Sequence, residues 1–244
     1  MLVKRLRWGS LGAFRGSILL QMNQAVHFSE QSLSASSSAG RTNDPARTMA
    51  EILSVATHEF ADKGLSGARI DEIAAATRTS KRMIYYYFGS KDKLYLAVLE
   101  EAYRRMRAIE SELDLDDLPP MDALQKLVEF TYDHHRDNED FIRLVMNENI
   151  QRGDYLRQSQ SIQQLNSQAI DSVRSLYERG VAQGVFRPGL MPVDIHSAIS
   201  AFTFFNVSNR HTFGVIFKDK ASTEKAQTLK REHVVDMIQR FVAY

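Results

Sequence analysis

The chain has 244 residues, with 31 Lys and Arg against 30 Asp and Glu, and it contains no cysteine. This length allows one or two domains with a sizeable apolar core. The absence of cysteine excludes disulfides, thiolate nucleophiles and zinc–thiolate sites, and it suits a reducing, cytoplasmic location. No apolar run approaches the roughly 18 to 20 residues needed to span a bilayer, so we expect no membrane partner.

Residues 1–44 differ in composition from the rest of the chain. They are Arg-rich at the start, poor in acidic residues, and contain the low-complexity run SLSASSSAG. An organellar transit peptide has a similar composition. We expect instead a disordered N-terminal extension, with Met22 as an alternative start, and assign it no function.

Helical signals begin immediately after this segment. Asn43 or Asp44 is a candidate N-cap, and Pro45 fits the first helical position. Apolar residues then recur at spacings of three and four, which predicts one buried helical stripe. Its members are Met49, Ile52, Leu53, Ala56 and Phe60. Gly64 is expected to end this helix in a left-handed conformation.

Two short helices follow. The stretch ARIDEIAAAT predicts one that buries Ile70, Ile73 and Ala74, and Ser80 is expected to cap another over residues 81–87. On this third helix Ile84 and Phe88 are four residues apart and share a face, which we expect to be buried. Tyr85, Tyr86 and Tyr87 cannot all share that face, so at least two should point outward.

The remainder of the chain also has helical periodicity. After a helix at 90–109 and the acidic linker LDLDDLPP, we predict helices near 121–135, 138–150, 155–183, 192–217 and 222–243. No strand-like alternation appears, so the predicted fold class is all-α. The predicted domains are 45–93, with three short helices, and a helical bundle at 94–244.

Positive charge is concentrated around the tyrosine run. Residues 78–93 contain five basic side chains and only one acidic side chain, Asp92. Such a focus attracts polyanions even when the whole chain is nearly neutral. A short helix, a turn and a second short helix behind a packing helix are typical of a helix-turn-helix, whose second helix fits the DNA major groove.

Residues 47–99 resemble the TetR (tetracycline repressor) family of bacterial transcriptional regulators. The similarity lies in ILSVATHEFADKG and in IDEIAAATRTSKRMIYYYFGSKDKLYLAVL, and it covers about a fifth of the chain. It implies an N-terminal helix-turn-helix DNA-binding domain followed by a C-terminal helical bundle for ligand binding and dimerisation. The implied partners are double-stranded DNA, a small-molecule effector and a second copy of the chain.

The resemblance also implies which residues contact DNA. They are Arg69, Ser80, Lys81, Arg82, Met83, Tyr85, Tyr86, Tyr87 and Lys91. Lys81, Arg82, Met83 and Tyr85 would meet base edges, and Tyr86, Tyr87 and Lys91 would hold phosphates. Many members have a small residue at the position of Arg82 and a hydroxyl residue at that of Met83, so the bases recognised can differ.

A second departure concerns the start of the second helix. Where Thr or Ser is usual, this chain has Ala68 and Arg69. We expect this helix to lack a side-chain cap unless Ser66 supplies one. Arg69 is expected to replace the phosphate contact of the missing hydroxyl.

In the bundle, the resemblance implies that the last two long helices pair across a two-fold axis. Ile195, Ile199, Phe202 and Phe213 suit such an interface, although burial within one subunit would give the same pattern. Polar residues within apolar helices are the predicted ligand contacts, with structural hydrogen bonds as the alternative. They are His134, Asn147, Asn206, Arg210 and His211, with His135, Asn149 and Asn209 as further candidates.

The predicted function is therefore that of a TetR-type repressor, released from a palindromic operator by an effector. The sequence contains no phosphate-binding glycine loop, Gly-x-Ser-x-Gly or His-Glu-x-x-His motif, so we expect no enzyme, no cofactor and no metal site. The alternative is a helical ligand-binding or interaction protein whose DNA-reading segment is vestigial.

Overall fold

The computed structural model describes residues 44–218 and 223–244. Within these ranges the chain forms ten α-helices and no strand, which confirms the all-α prediction. They are α1 (Pro45–Gly67), α2 (Ile70–Ala76), α3 (Lys81–Phe88), α4 (Lys91–Ser111), α5 (Pro120–Asp137), α6 (Glu139–Ile150), α7 (Gln160–Ala182), α8 (Pro192–Ser208), α9 (Arg210–Phe217) and α10 (Glu224–Val242). The extension predicted at 1–44 lies outside the described residues, apart from Asp44. No helix in the described ranges is both long and apolar enough to cross a membrane.

The first three helices and the start of α4 pack around one apolar core. Asp44 caps α1 by accepting hydrogen bonds from the backbone amides of Ala46 and Arg47, at 3.0 and 3.2 Å. The predicted stripe of α1 lies in this core, joined by apolar residues of α2, α3 and α4. Its deeply buried members include Ile52, Ala56, Phe60, Ile73, Ile84, Leu94, Tyr95 and Val98. Gly64 has φ +66°, so α1 kinks there and continues for one further turn to Gly67.

A second core lies between α5, α7, α8 and α10. Its buried residues include Leu124, Val128, Tyr132, Leu176, Ile195, Ile199 and Ile238. Gly180 on α7 allows the ring of Phe186 to lie against the helix, because a Cβ at this position would be 2.0 Å from Phe186 Cδ2. The loop that carries Phe186 is also held by Arg187 N, which donates to Val242 O at 2.8 Å.

Two predicted helices are shorter than expected. Residues 151–159 form turns and a single 3₁₀ turn, so α7 begins at Gln160 rather than near 155. The helix predicted at 192–217 is interrupted at Asn209, which has φ −106° and ψ 3°. The Asn209 carbonyl instead accepts the first hydrogen bond of α9, from Phe213 N at 2.9 Å, so α8 and α9 are separate helices.

Candidate DNA-binding surface and ligand cavity

The start of α2 is held by a glutamate rather than by a hydroxyl cap. Arg69 occupies the N-cap position and makes no side-chain cap. Its backbone amide donates to Glu59 Oε1 on α1 at 3.0 Å. The Ser66 hydroxyl makes no hydrogen bond to the described residues of α2, so the suggestion that Ser66 caps this helix is wrong. The Ser66 carbonyl accepts from Lys91 Nζ at 3.5 Å.

The turn between α2 and α3 contains a residue in the left-handed region. Arg78 has φ +50°, and the amide of the next residue, Thr79, donates back to Ala74 O at 3.0 Å. These two features are those of a Schellman-type helix end, in which the left-handed position reverses the chain within a few residues. The conformation presents the exposed Arg78 side chain beside the N-terminus of α3.

Helix α3 buries one face and exposes the opposite one. Ser80 caps it by accepting from Met83 N at 3.2 Å, while Ile84 and Phe88 are buried in the core as predicted. Tyr85 is 44% exposed and Tyr86 is 78% exposed, which confirms that at least two tyrosines point outward.

The exposed face of α3 combines a cation with two aromatic rings. Arg82, Tyr85 and Tyr86 have the i, i+3, i+4 spacing that places side chains together on a helix surface. Tyr87 is half-buried and meets the Tyr86 ring edge-on, with 5.4 Å between the ring centroids. Met83 is half-buried.

The cations around α3 differ in whether an internal carboxylate neutralises them. Lys81 forms an ion pair with Asp71, and Arg69 lies 3.5 Å from the same carboxylate. The side chain of Arg82 is exposed and has no hydrogen bond or ion pair with any described residue. Its full charge is therefore available to a polyanion.

Two further exposed cations are Arg78 and Lys93. The side chain of each makes no hydrogen bond or ion pair with any described residue. Neither was among the DNA-contacting residues predicted from the sequence. Their position in the cluster at 78–93 was visible in the sequence, but their lack of a carboxylate partner depends on the folded structure.

A cavity of about 730 Å³ lies in the bundle and is lined by residues of α5, α8, α9 and α10. Phe202, Phe205 and Phe213 contribute aromatic surface to its wall. A polar group also lies in this wall, where Asn206 Nδ2 donates to Tyr132 Oη at 3.0 Å. Such a mixture of apolar wall and a few placed polar groups is typical of a small-molecule site.

The predicted ligand residues fall into two groups. Asn206, Arg210 and His211 line the cavity, and Arg210 is also ion-paired with Glu139. Asn147 lies at the contact between α6 and α1, where its Nδ2 donates to Phe60 O at 3.2 Å. His134 packs between the rings of Phe130 and Phe141, with centroid distances of 5.7 Å to each.

The further candidates have local structural partners or are buried. Asn149 donates to Val145 O, and Asn209 donates to Ser208 Oγ. Asn209 also lines the 730 Å³ cavity, as predicted for a ligand contact. His135 is only 4% exposed and lies outside the cavity.

Helix α6 connects the bundle to the end of α1. Arg143 donates to Ala61 O at 2.9 Å and to Asp62 O at 3.2 Å. These are carbonyls near the end of a helix, where a cation is favoured by the helix dipole. Tyr155 adds a second connection, because its hydroxyl donates to Asp92 Oδ1 at the start of α4, at 2.9 Å.

Comparison with known proteins identifies the family. The family model of bacterial regulatory proteins of the tetR family matches residues 52–98, and that of the tetracyclin repressor-like C-terminal domain matches residues 120–238. The HTH-type transcriptional repressor NicS of Pseudomonas putida is 36% identical over 172 residues, which cover 70% of this chain and 81% of NicS. The chain belongs to the TetR family of bacterial transcriptional regulators.

Other TetR-family comparisons agree. The HTH-type transcriptional repressor SCO4008 of Streptomyces coelicolor is 34% identical over 139 residues, covering 57% of this chain and 69% of the repressor. A crystal structure of a tetR-family regulatory protein from Rhodococcus RHA1 has the same fold, with a TM-score of 0.64 at 20% identity over 81% of this chain and 97% of that one. TetR-family regulators bind DNA and small-molecule effectors and act as dimers, and they are not enzymes.

Proposed function

We propose that this TetR-family regulator is a repressor that reads its operator with the exposed face of α3. The observation that supports this most strongly is Arg82, an exposed arginine near the N-terminus of α3 without an internal partner. An arginine in the major groove can donate two hydrogen bonds to guanine, worth about 1–3 kcal/mol of discrimination. Tyr85, one turn further along the same face, is placed to contact the neighbouring base or its methyl group.

The other predicted contacts take supporting roles in this proposal. Phosphates are held by Tyr86, Tyr87 and Lys91. The side chains of Arg69 and Lys81 also bind phosphates, but each must first release its contact with the Asp71 carboxylate. Ser80 and Met83 lie at the start of the helix, with the Ser80 hydroxyl already engaged in its cap. Arg78 and Lys93 join the phosphate contacts because their charges have no internal partner.

The domain division proposed from the sequence is 45–93 for DNA binding and 94–244 for ligand binding and dimerisation. Its boundary falls inside α4. Leu94 and Val98 on this helix belong to the core of the DNA-binding part, whereas Met106 packs on Phe141 and Val207 of the bundle. A shift of the bundle end of α4 would therefore be passed to the base-reading helix along a continuous element.

A second copy of the chain is proposed to cover the exposed apolar surface of α8, α9 and α10. Phe202, Phe205, Phe213 and Met237 are all at least two-fifths exposed there. The same residues line the 730 Å³ cavity, so a partner subunit would cover its mouth. Two subunits related by a two-fold axis would place their reading helices roughly 34–36 Å apart and require a palindromic operator.

The effector is proposed to bind in this cavity, whose volume lies within the roughly 300–1,000 Å³ range of small-molecule sites. Asn206, with Arg210 and His211 at the wall, would orient its polar groups. To reverse operator occupancy from 99:1 to 1:99, the effector must favour the released form by about 5.5 kcal/mol. The hydrogen bonds of Arg143 and Tyr155 to the DNA-binding part provide a route for that preference.

A salt titration with a matched pair of variants tests the DNA-binding proposal. The wild-type chain should bind duplex DNA from upstream of its own gene with an affinity that falls steeply as salt rises. Arg82→Ala should weaken this binding at least tenfold, whereas Arg174→Ala, which removes an exposed arginine from α7, should leave it unchanged. Equal behaviour of both variants would contradict the role of Arg82, and no binding by the wild type would favour the vestigial alternative.

A further inference from the structure

One acidic side chain stands among the cations of the DNA-binding surface. Residues 78–93 contain five Lys and Arg residues, and Asp92 is the only acidic residue among them. It is exposed in the first turn of α4, between Lys91 and Lys93 in the sequence. Both lysines are among the proposed phosphate contacts. A carboxylate at this position can therefore oppose DNA binding in two ways, because it repels phosphates and can neutralise either lysine.

The Asp92 carboxylate is nevertheless paired with neither lysine. Its Oδ1 accepts a hydrogen bond from Tyr155 Oη at 2.9 Å, and it has no ion pair with any described residue. Lys91 Nζ instead lies 3.5 Å from Ser66 O. The Lys93 side chain has no partner in the described part of the chain. Both ammonium groups therefore remain available to phosphates.

Asp71 shows what a carboxylate does on the same surface when no such hydroxyl holds it. Its side chain is ion-paired with Lys81 and lies 3.5 Å from Arg69 Nη2. Asp92 has a lysine on each side in the sequence, yet it makes no such pair. The structural difference between the two carboxylates is the hydroxyl group that Tyr155 supplies to Asp92.

Tyr155 is a well-fixed donor because its ring and its backbone are both held. The ring meets Tyr95 edge-on, with 5.1 Å between centroids and 86° between planes. The amide of Tyr155 donates to Glu148 Oε2 at 3.2 Å, and the amide of Leu156 donates to the same oxygen at 3.1 Å. Glu148 lies on α6 and is only 1% exposed. A lysine must lose side-chain freedom to form a surface ion pair, whereas this hydroxyl is already in place.

The chemistry of the hydroxyl also favours this contact over a lysine. Hydrogen bonds to an ionised acceptor are roughly twice as strong as those between neutral groups. Burial and the hydrogen bond to Asp92 raise the pKa of Tyr155, with further contributions from nearby carboxylates. The hydroxyl therefore keeps its proton at neutral pH and remains a donor to the carboxylate.

We propose that Tyr155 is a positioning residue for DNA binding, which holds the Asp92 carboxylate away from Lys91 and Lys93. Tyr155 belongs to the turn at 151–159 that joins α6 to α7 of the bundle. A shift of this turn would release Asp92 onto the DNA-binding surface, so the bundle regulates DNA affinity through a charge as well as through movement of the reading helices. This role rests on the proposed function, because it requires that the two lysines contact DNA.

Fluorescence anisotropy with a duplex from upstream of the gene tests this role on the wild type and three variants. Tyr155→Phe keeps the ring that packs on Tyr95 and removes only the hydroxyl, so it should weaken binding about threefold per DNA-binding head. Its slope of log affinity against log salt should be flatter by about one unit per head, since one lysine contact is neutralised. Asp92→Asn should bind at least as tightly as the wild type, and the double variant should bind as Asp92→Asn does.

This pattern separates an electrostatic role from a mechanical one. If the hydrogen bond served only to join the bundle to α4, Tyr155→Phe and Asp92→Asn would both weaken it, and both should weaken DNA binding. Tyr177→Phe is the matched control, because it removes a hydroxyl that donates to Arg187 O at 2.9 Å within the bundle. It should leave DNA affinity unchanged.

Urea unfolding of the same proteins measures the contact without DNA. The stability changes of Tyr155→Phe and Asp92→Asn should not add in the double variant, because both substitutions act on one interaction. Strictly additive changes would show that the hydrogen bond does not form in solution, and they would overturn the inference.

Three results of the DNA measurement would also overturn it. They are an unchanged affinity for Tyr155→Phe, weaker binding by Asp92→Asn alone, and a double variant that binds as weakly as Tyr155→Phe. Failure of the wild type to bind DNA would instead reject the proposed function. The two failures are distinguishable, since the unfolding measurement needs no DNA and the comparison of variants needs a wild type that binds.

Discussion

Replacing Asp71 with asparagine should tighten DNA binding. The Asp71 carboxylate is ion-paired with Lys81 and lies 3.5 Å from Arg69 Nη2, and all three side chains are at least two-fifths exposed. Exposed pairs of this kind are worth about 0.2–1 kcal/mol each. In the proposed complex Arg69 and Lys81 contact the DNA backbone, and DNA must displace the carboxylate from both cations. Removing the carboxylate should therefore lower the binding free energy by about 1 kcal/mol per DNA-binding head, roughly fivefold in affinity.

The salt dependence provides an independent measure of the same effect. Each additional phosphate neutralised steepens the plot of log affinity against log salt by about 0.9. Fluorescence anisotropy with an upstream duplex should therefore show a slope steeper by about one unit per head for Asp71→Asn. Asp171→Asn on α7 removes the same charge far from the DNA-binding surface and is the matched control. If Asp71→Asn binds no tighter than this control, the argument that the carboxylate competes with phosphate is refuted.

Three further predictions concern coupling and stability. Arg143→Ala removes charge-assisted hydrogen bonds to Ala61 O and Asp62 O, so hydrogen exchange at residues 61–67 should accelerate about tenfold, and an unchanged rate would contradict the connection. Gly180→Ala places a Cβ 2.0 Å from the buried Phe186 ring and should cost about 1–3 kcal/mol, seen as a Tm lowered by roughly 2–12 °C. Because the pKa of His135 is lowered to about 3 in the folded state, the unfolded state binds its proton first as pH falls below about 6.5. Stability should then fall by up to about 1.4 kcal/mol per pH unit from this group, and His135→Gln should flatten the dependence between pH 6.5 and 5 in urea unfolding.

Much of the DNA-binding part was predictable because its signals are local. The caps at Asp44 and Ser80 depend on residues two or three positions away, and the burial of Ile84 and Phe88 follows from helical spacing alone. The outward tyrosines follow from the same geometry, because a helix cannot bury three consecutive positions on one face.

Features that depend on partners distant in sequence were not predictable. Asn147 appeared to be a polar residue in an apolar helix, but its hydrogen bond is to Phe60 O, 87 positions away in the chain. Ile195 and Ile199 suited a dimer interface, yet they are buried within the core of the same chain. The folded structure likewise decides whether a carboxylate neutralises a cation. The Asp71 carboxylate neutralises Lys81, whereas no described carboxylate neutralises Arg82.

Hydroxyl-radical footprinting of the DNA upstream of the gene, with excess random duplex as competitor, tests the main proposal most directly. The account predicts two protected half-sites about one helical turn apart, and loss of protection when Arg82 is replaced by alanine. Two results would contradict this account. One is uniform cleavage across the fragment at protein concentrations well above those needed for a specific regulator, and the other is an unchanged footprint with Arg82→Ala.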